Sequence, residues 1–200
     1  MRFTANLLPL LTKAAHSTPP LSRVVSVLSA GFEAKINLDD LALKANFTLS
    51  ACANHATTMN TLAAEQLASI YPSTSFIHAS PGGVKTGLYR ELGLLGRIGL
   101  RMTYALALPL MTPIKESGER NLFAATSTRY PPKSMEKVED TEKGIDGVKG
   151  SGAYGISADG SYAQNEKVIQ AYRSEGVGER IWEHTLDVFD VVCGKGDGKY

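Results

Sequence analysis

SFIHASPGGVKT, residues 75–86, runs from a short apolar stretch straight into Pro81-Gly82-Gly83 and then offers Thr86. Proline fixes φ and removes a backbone donor, while glycine lets the chain bend sharply or lets a ligand approach the backbone. The fragment alone reads equally well as a plain glycine-rich turn, because Pro-Gly is a common turn dipeptide. Its surroundings decide. RVVSVLS, 23–29, is a continuous β-branched run suited to a strand buried on both faces. Upstream of it, residues 3–15 place Phe3, Leu7, Leu10, Leu11 and Ala14 at helical spacing, with Ser17-Thr18-Pro19-Pro20 as the stop. From Leu49 to Ile70, a long periodic segment puts Cys52, Ala56, Met59, Ala63, Leu67 and Ile70 on one face. The order helix, strand, helix, strand with apolar strands predicts an α/β fold with a parallel sheet.

The 200 residues carry 21 basic and 20 acidic side chains, for a net charge of +1, and 43% are hydrophobic. One globular domain over 1–200 is expected. No basic stripe interleaved with aromatics supports a nucleic-acid partner. Cys52 and Cys193 have neither zinc-ligand nor disulfide-framework spacing, so no metal site is expected and a reducing, cytoplasmic setting is the default. The N-terminal apolar run is broken by Pro9 and Lys13, too short for a signal peptide. LGLLGRIGLRMTYALALPLMTPI, 92–114, carries Arg97 and Arg101. Only 102–114 is uninterrupted, well short of the ~20 residues of a spanning helix, so the segment reads as a buried helix or a lid over an apolar pocket.

Thr112-Pro113 is expected to open a helix through Ala125, with Thr112 as cap and Pro113 at the first helical position. Residues 131–152 read as a mobile polar loop, GERIWEHTLDVFDVVC as a final amphipathic helix, and 194–200 as a frayed tail. GSGAYG, 150–155, matches G-x-G-x-x-G, but that fingerprint acts only between a strand and a helix. Here a polar loop precedes it and the turn-like ISADGSY follows, so it is a chance match.

The ordered set RVVSVLSAG, a helix ending LAAEQLA, and FIHASPGGVKT resembles the second half of a short-chain dehydrogenase/reductase. NLLPLL, TTMNTLAAEQLA, ESGERNLFAATS and GSGAY resemble a fungal subgroup of that family found in secondary-metabolite clusters. The resemblance implies a Rossmann-type three-layer parallel sheet that lacks its N-terminal nucleotide-binding half, together with the TGxxxGxG turn. It implies hydride transfer between NAD or NADP and a ketone or alcohol on a small polyketide- or terpenoid-like substrate. Ser29 would be the catalytic serine. Pro81, Gly82, Val84 and Thr86 would seat the nicotinamide end of the cofactor, with Tyr89 and Tyr104 as substrate-pocket candidates that serve equally well as core aromatics.

Two departures stand beside the match. Counting back from LAAEQLA, the family's tyrosine falls on Thr48 and its lysine on Cys52. A threonine hydroxyl is far too weak an acid to replace a phenol of pKa ~10, and a thiol supplies no cation. His55, one turn past Cys52, is the candidate replacement acid/base, with a backbone-satisfied core histidine as the other reading. His78 is read as structural and Cys52 as an inert buried thiol. The second departure is the missing half-sheet, whose exposed edge invites pairing and hence a homo-oligomer. A non-catalytic binding subunit, or a cofactor-free isomerase or dehydratase using His55, are the alternative functions.

Overall fold

The computed structural model of the chain describes residues 1–17, 21–84, 93, 99 and 111–194. Thr86, Tyr89, Tyr104, the core of the lid-like segment and residues 195–200 of the tail lie outside them. The elements are α1 (Arg2–Ala15), β1 (Arg23–Val27), α2 (Leu49–Ile70), β2 (Ser75–Ala79), α3 (Ile114–Thr126), β3 (Ala153–Ile156), α4 (Glu166–Ser174) and α5 (Val177–Phe189). The protein is α/β, with the three strands in a parallel sheet ordered β1-β2-β3.

Side-chain alternation along β2 builds the two cores. Phe76 faces α2 and joins Leu8 of α1, Leu62 and Leu67 of α2, Ile169 of α4, and Ile181 and Trp182 of α5 in one cluster. Ile77 and Ala79 face the other way, onto Ala124 of α3, Tyr130, and Tyr154 and Ile156 of β3. Burying each of the larger apolar side chains contributes about 1.5–3 kcal/mol, so the layers are held from both faces. The result is a helix–sheet–helix sandwich of Rossmann type with a small sheet.

The Arg23 guanidinium closes the open end of α3 by donating to the carbonyls of Ala124, Ser127 and Tyr130. The Ala124 carbonyl lies in the last turn of α3, where helix carbonyls lack partners further along, and a cation suits that end. The ladder of β1 uses the Ser22 carbonyl and the Leu28 amide toward β2. In a parallel ladder alternate residues point opposite ways, so Arg23, Val25 and Val27 direct their amides and carbonyls outward. Among the described residues no strand pairs with that outer edge. On α1, Phe3, Leu7 and Leu10 are exposed to solvent.

The structure corrects three sequence expectations. Thr112 does not cap α3: the cap position is Pro113, which makes no side-chain cap bond, and the Thr112 amide instead donates to the Gly83 carbonyl at 2.8 Å. The buried face of α2 is not the Cys52–Ala56–Ile70 stripe. Ala63 and Leu67 are buried, but they share the face with His55, Thr57, Thr58 and Thr61, and Cys52 is exposed. Thirdly, AYGI forms the strand β3. Gly155 is needed there because a Cβ would lie 2.3 Å from the Ala163 carbonyl oxygen, and the Ala163 amide donates back to Gly155.

The 131–152 stretch has no helix or strand, yet it is tied to the body at several points. Ile145 is buried in the α2-side core, the Tyr154 hydroxyl donates to the Pro131 carbonyl at 2.6 Å, and Arg129 pairs with Glu142.

Candidate active site

Ser29 follows β1 just beyond its last ladder bond, at the carboxyl end of the sheet, where open α/β folds place ligands. Its hydroxyl lies 2.5 Å from the hydroxyl of Thr57 on α2. The structure therefore sets Thr57 opposite Ser29, not Thr48 or Cys52. Thr48 is the exposed cap of α2, its hydroxyl accepting from the Ala51 amide at 3.0 Å. Side-chain oxygens at that position satisfy an otherwise unpaired helix amide. Cys52, one turn on, is exposed and no cation takes its place beside Ser29 among the described hydrogen bonds.

His55 is buried with both ring nitrogens occupied by backbone. Nε2 accepts from the Asn37 amide at 3.0 Å, which leaves the proton on Nδ1 for the Leu41 carbonyl at 3.3 Å. The ring fastens the 34–41 connection to α2 and does not meet Ser29. His78 is different. Fully buried in β2, it accepts from the Ser29 amide through Nε2 at 3.2 Å and lies 2.7 Å from the Thr61 hydroxyl through Nδ1. Burial pushes its imidazole down to about 4, outweighing the opposing pull of the Glu33 carboxylate.

The Pro81-Gly82-Gly83 turn follows β2. Gly82 has φ 67°, and a Cβ there would lie 2.7 Å from the Ala158 methyl. Close packing against the loop after β3 thus accounts for this glycine. Val84 then bridges to Thr112. Next to the turn, a cleft of about 280 Å³ opens between α3 and the loop after β3, lined by Ser80, Pro81, Arg120, Tyr130, Ala158 and Asp159. Ser29 and Thr57 are not among its lining residues. Arg120 is committed to Glu116 and the Ala158 carbonyl, and Asp159 is held below the usual carboxylate range by the Ser157 and Ser161 hydroxyls.

Among the described residues, no phenol whose acidity is shifted is primed as an acid. Burial raises Tyr130, and raises Tyr154 and Tyr162 each to about 12.

Comparison with known proteins gives these positions a context. Oxidoreductase andH of Emericella variicolor is 39% identical over 207 residues, covering 98% of this chain and 60% of that protein. Oxidoreductase lepF of Aspergillus flavus is 35% identical over 229 residues, covering 100% of this chain and 62% of its own length. The NmrA-like family domain-containing oxidoreductase notO of an Aspergillus species is 32% identical over 194 residues, covering 94% and 54%. The chain is similar to fungal oxidoreductases. It spans 54% to 62% of the length of these relatives. No protein-family model matches it. None of the helices among the described residues is long and apolar enough to cross a membrane.

Thr57, Thr61 and Glu33 are the site residues that sequence reading passed over. The available signal was three threonines, 57, 58 and 61, in mid-helix. Threonine is a poor helix former, so a cluster at i, i+1 and i+4 marks hydroxyls kept for side-chain bonds.

Proposed function

We propose that the chain acts as a short-chain dehydrogenase/reductase-like enzyme. It would transfer hydride between NAD or NADP and a ketone or alcohol on a small secondary metabolite. The observation that carries this reading is the placement of the Ser29 hydroxyl at the end of β1, paired with Thr57, while the Pro81–Val84 turn sits at the end of the adjacent parallel strand. The names of the relatives support the oxidoreductase class.

Among the described residues, the fit to the cofactor is at one end only. The turn after β2 offers backbone to the nicotinamide end. GSGAYG, the glycine motif that formally suits a diphosphate, runs into β3 and not into a helix N-terminus. When bound, the cofactor supplies the hydride. The chain's own part is to hold the carbonyl oxygen at the Ser29 hydroxyl, with Thr57 fixing that hydroxyl's direction. The proton that an alkoxide needs has no ready donor in Thr48, Cys52 or the described tyrosines. Turnover should accordingly be slow, since positioned acid–base groups contribute about 10²–10⁴-fold.

The test is oxidation of NADH and NADPH over a panel of cyclic and polyketide-like ketones, for the unmodified chain and Ser29→Ala. A slow turnover abolished by Ser29→Ala supports the reading, and turnover indifferent to that change refutes it.

A second reading has its own observation. The outward amides and carbonyls of Arg23, Val25 and Val27, together with the exposed Phe3, Leu7 and Leu10 of α1, suit a subunit that pairs through its sheet edge with another copy or a partner chain. Sedimentation at a series of concentrations separates this from a monomeric enzyme.

A further inference from the structure

Ser29 is fastened at three points. Its hydroxyl meets Thr57, its carbonyl accepts from the Phe32 amide at 3.2 Å, and its amide reaches His78. The last point continues into the protein. Thr61 donates its hydroxyl proton to Glu33 Oε1 at 2.8 Å. Glu33, 2% exposed, also accepts from the Gly31 amide at 3.2 Å and, through Oε2, from the Asn165 amide at 2.8 Å.

The directions of these bonds fix one another. A backbone amide can only donate, so His78 Nε2 facing Ser29 carries no proton. The neutral ring then bears its proton on Nδ1 and gives it to the Thr61 oxygen. That oxygen, having accepted, sends its own proton to Glu33. Each polar group is used in one sense. Reversing the His78 tautomer would set two donors face to face at Ser29.

We propose that His78, its ring set by Thr61 and Glu33, is a positioning residue that fixes the Ser29 backbone and with it the direction in which the Ser29 hydroxyl is presented. The role in reaction rests on the reading of Ser29 given above, while the link between His78 and Ser29 stands on the geometry alone. The reason a site would use this device is position: Ser29 lies past the last β1–β2 ladder bond, so the sheet does not hold its amide. A small displacement of a positioning group costs up to about 10²-fold in rate.

Two measurements test it. In the unmodified chain, nitrogen NMR of labelled histidine near neutrality should show the His78 ring neutral with its proton on Nδ1; a proton on Nε2 overturns the proposal. Thr61→Val removes the hydroxyl at nearly constant volume, and Thr61→Ser keeps it. The valine variant should shift the Ser29 amide resonance, speed its hydrogen exchange by about tenfold or more through local opening, and lower kcat with KM nearly unchanged. The serine variant should restore all three. A Ser29 amide that exchanges identically in the valine variant overturns the proposal whether or not the protein turns over. Turnover indifferent to Ser29→Ala instead overturns the catalytic reading, and leaves the amide measurement to judge the link between His78 and Ser29.

Discussion

Acid should weaken this fold through His78 in a way that one substitution can isolate. The imidazole is pushed down to about 4 by burial, from an ordinary value of 6.5. Between those values the unfolded chain binds the proton that the folded chain refuses. The full stability is therefore present above about pH 6.5, falls as pH drops toward about 4, and levels off below. The gap of about 2.5 pH units corresponds to about 3 kcal/mol at 1.36 kcal/mol per unit, a large part of the ordinary margin of a small domain. Asp40 and Glu166, both held below their usual values, also lose stability in acid. Those contributions are shared with a His78→Gln variant and cancel in the difference. Urea titrations of both proteins from about pH 7 to about pH 4 should show the unmodified chain losing about 3 kcal/mol more than the variant. Parallel stability curves would refute the buried, neutral imidazole on which this reasoning stands.

Other outcomes follow from the packing. Gly155→Ala sets a methyl against the Ala163 carbonyl and should cost roughly 3 kcal/mol or prevent folding, read by circular dichroism and denaturant. Dynamic light scattering should show concentration-dependent association of the chain. Val27→Lys, at a half-exposed position whose backbone points outward from β1, should reduce it. Calorimetric titration with NADH and NADPH should give no tight, low-micromolar binding, because the described residues offer a seat only for the nicotinamide end.

Much of the framework was legible because the relevant runs are long and uniform. Residues 49–70 were read as a helix over the range that α2 occupies, and 23–29 and 75–80 contain β1 and β2. β3 escaped because its four residues, AYGI, include alanine and glycine, and the partners that bury it, Phe76, Ile77 and Ala124 among them, come from elsewhere in the chain. The site was harder to read for a related reason. An apolar stripe normally marks the buried face of a helix, but α2 buries Thr57, Thr58 and Thr61 at the strand ends, where hydroxyl bonds replace apolar contact. The residue opposite Ser29 is Thr57 and not Thr48, about two and a half turns further along α2, a displacement that no count from LAAEQLA reveals. Glu33 lies in an irregular connection, and only the fold brings it to Thr61 and Asn165.

In the proposed reading, Ser29 with Thr57 and the turn after β2, at the ends of adjacent parallel strands, together serve a nicotinamide and a carbonyl. Titration with reduced nicotinamide mononucleotide, which carries only the end of the cofactor that the turn would hold, tests it most directly by amide NMR. Saturable shifts are expected, concentrated at Ser80, Gly82, Gly83 and Val84 and at Ser29 and Thr57. Shifts confined to other surfaces, with these amides unmoved at saturation, would contradict that reading.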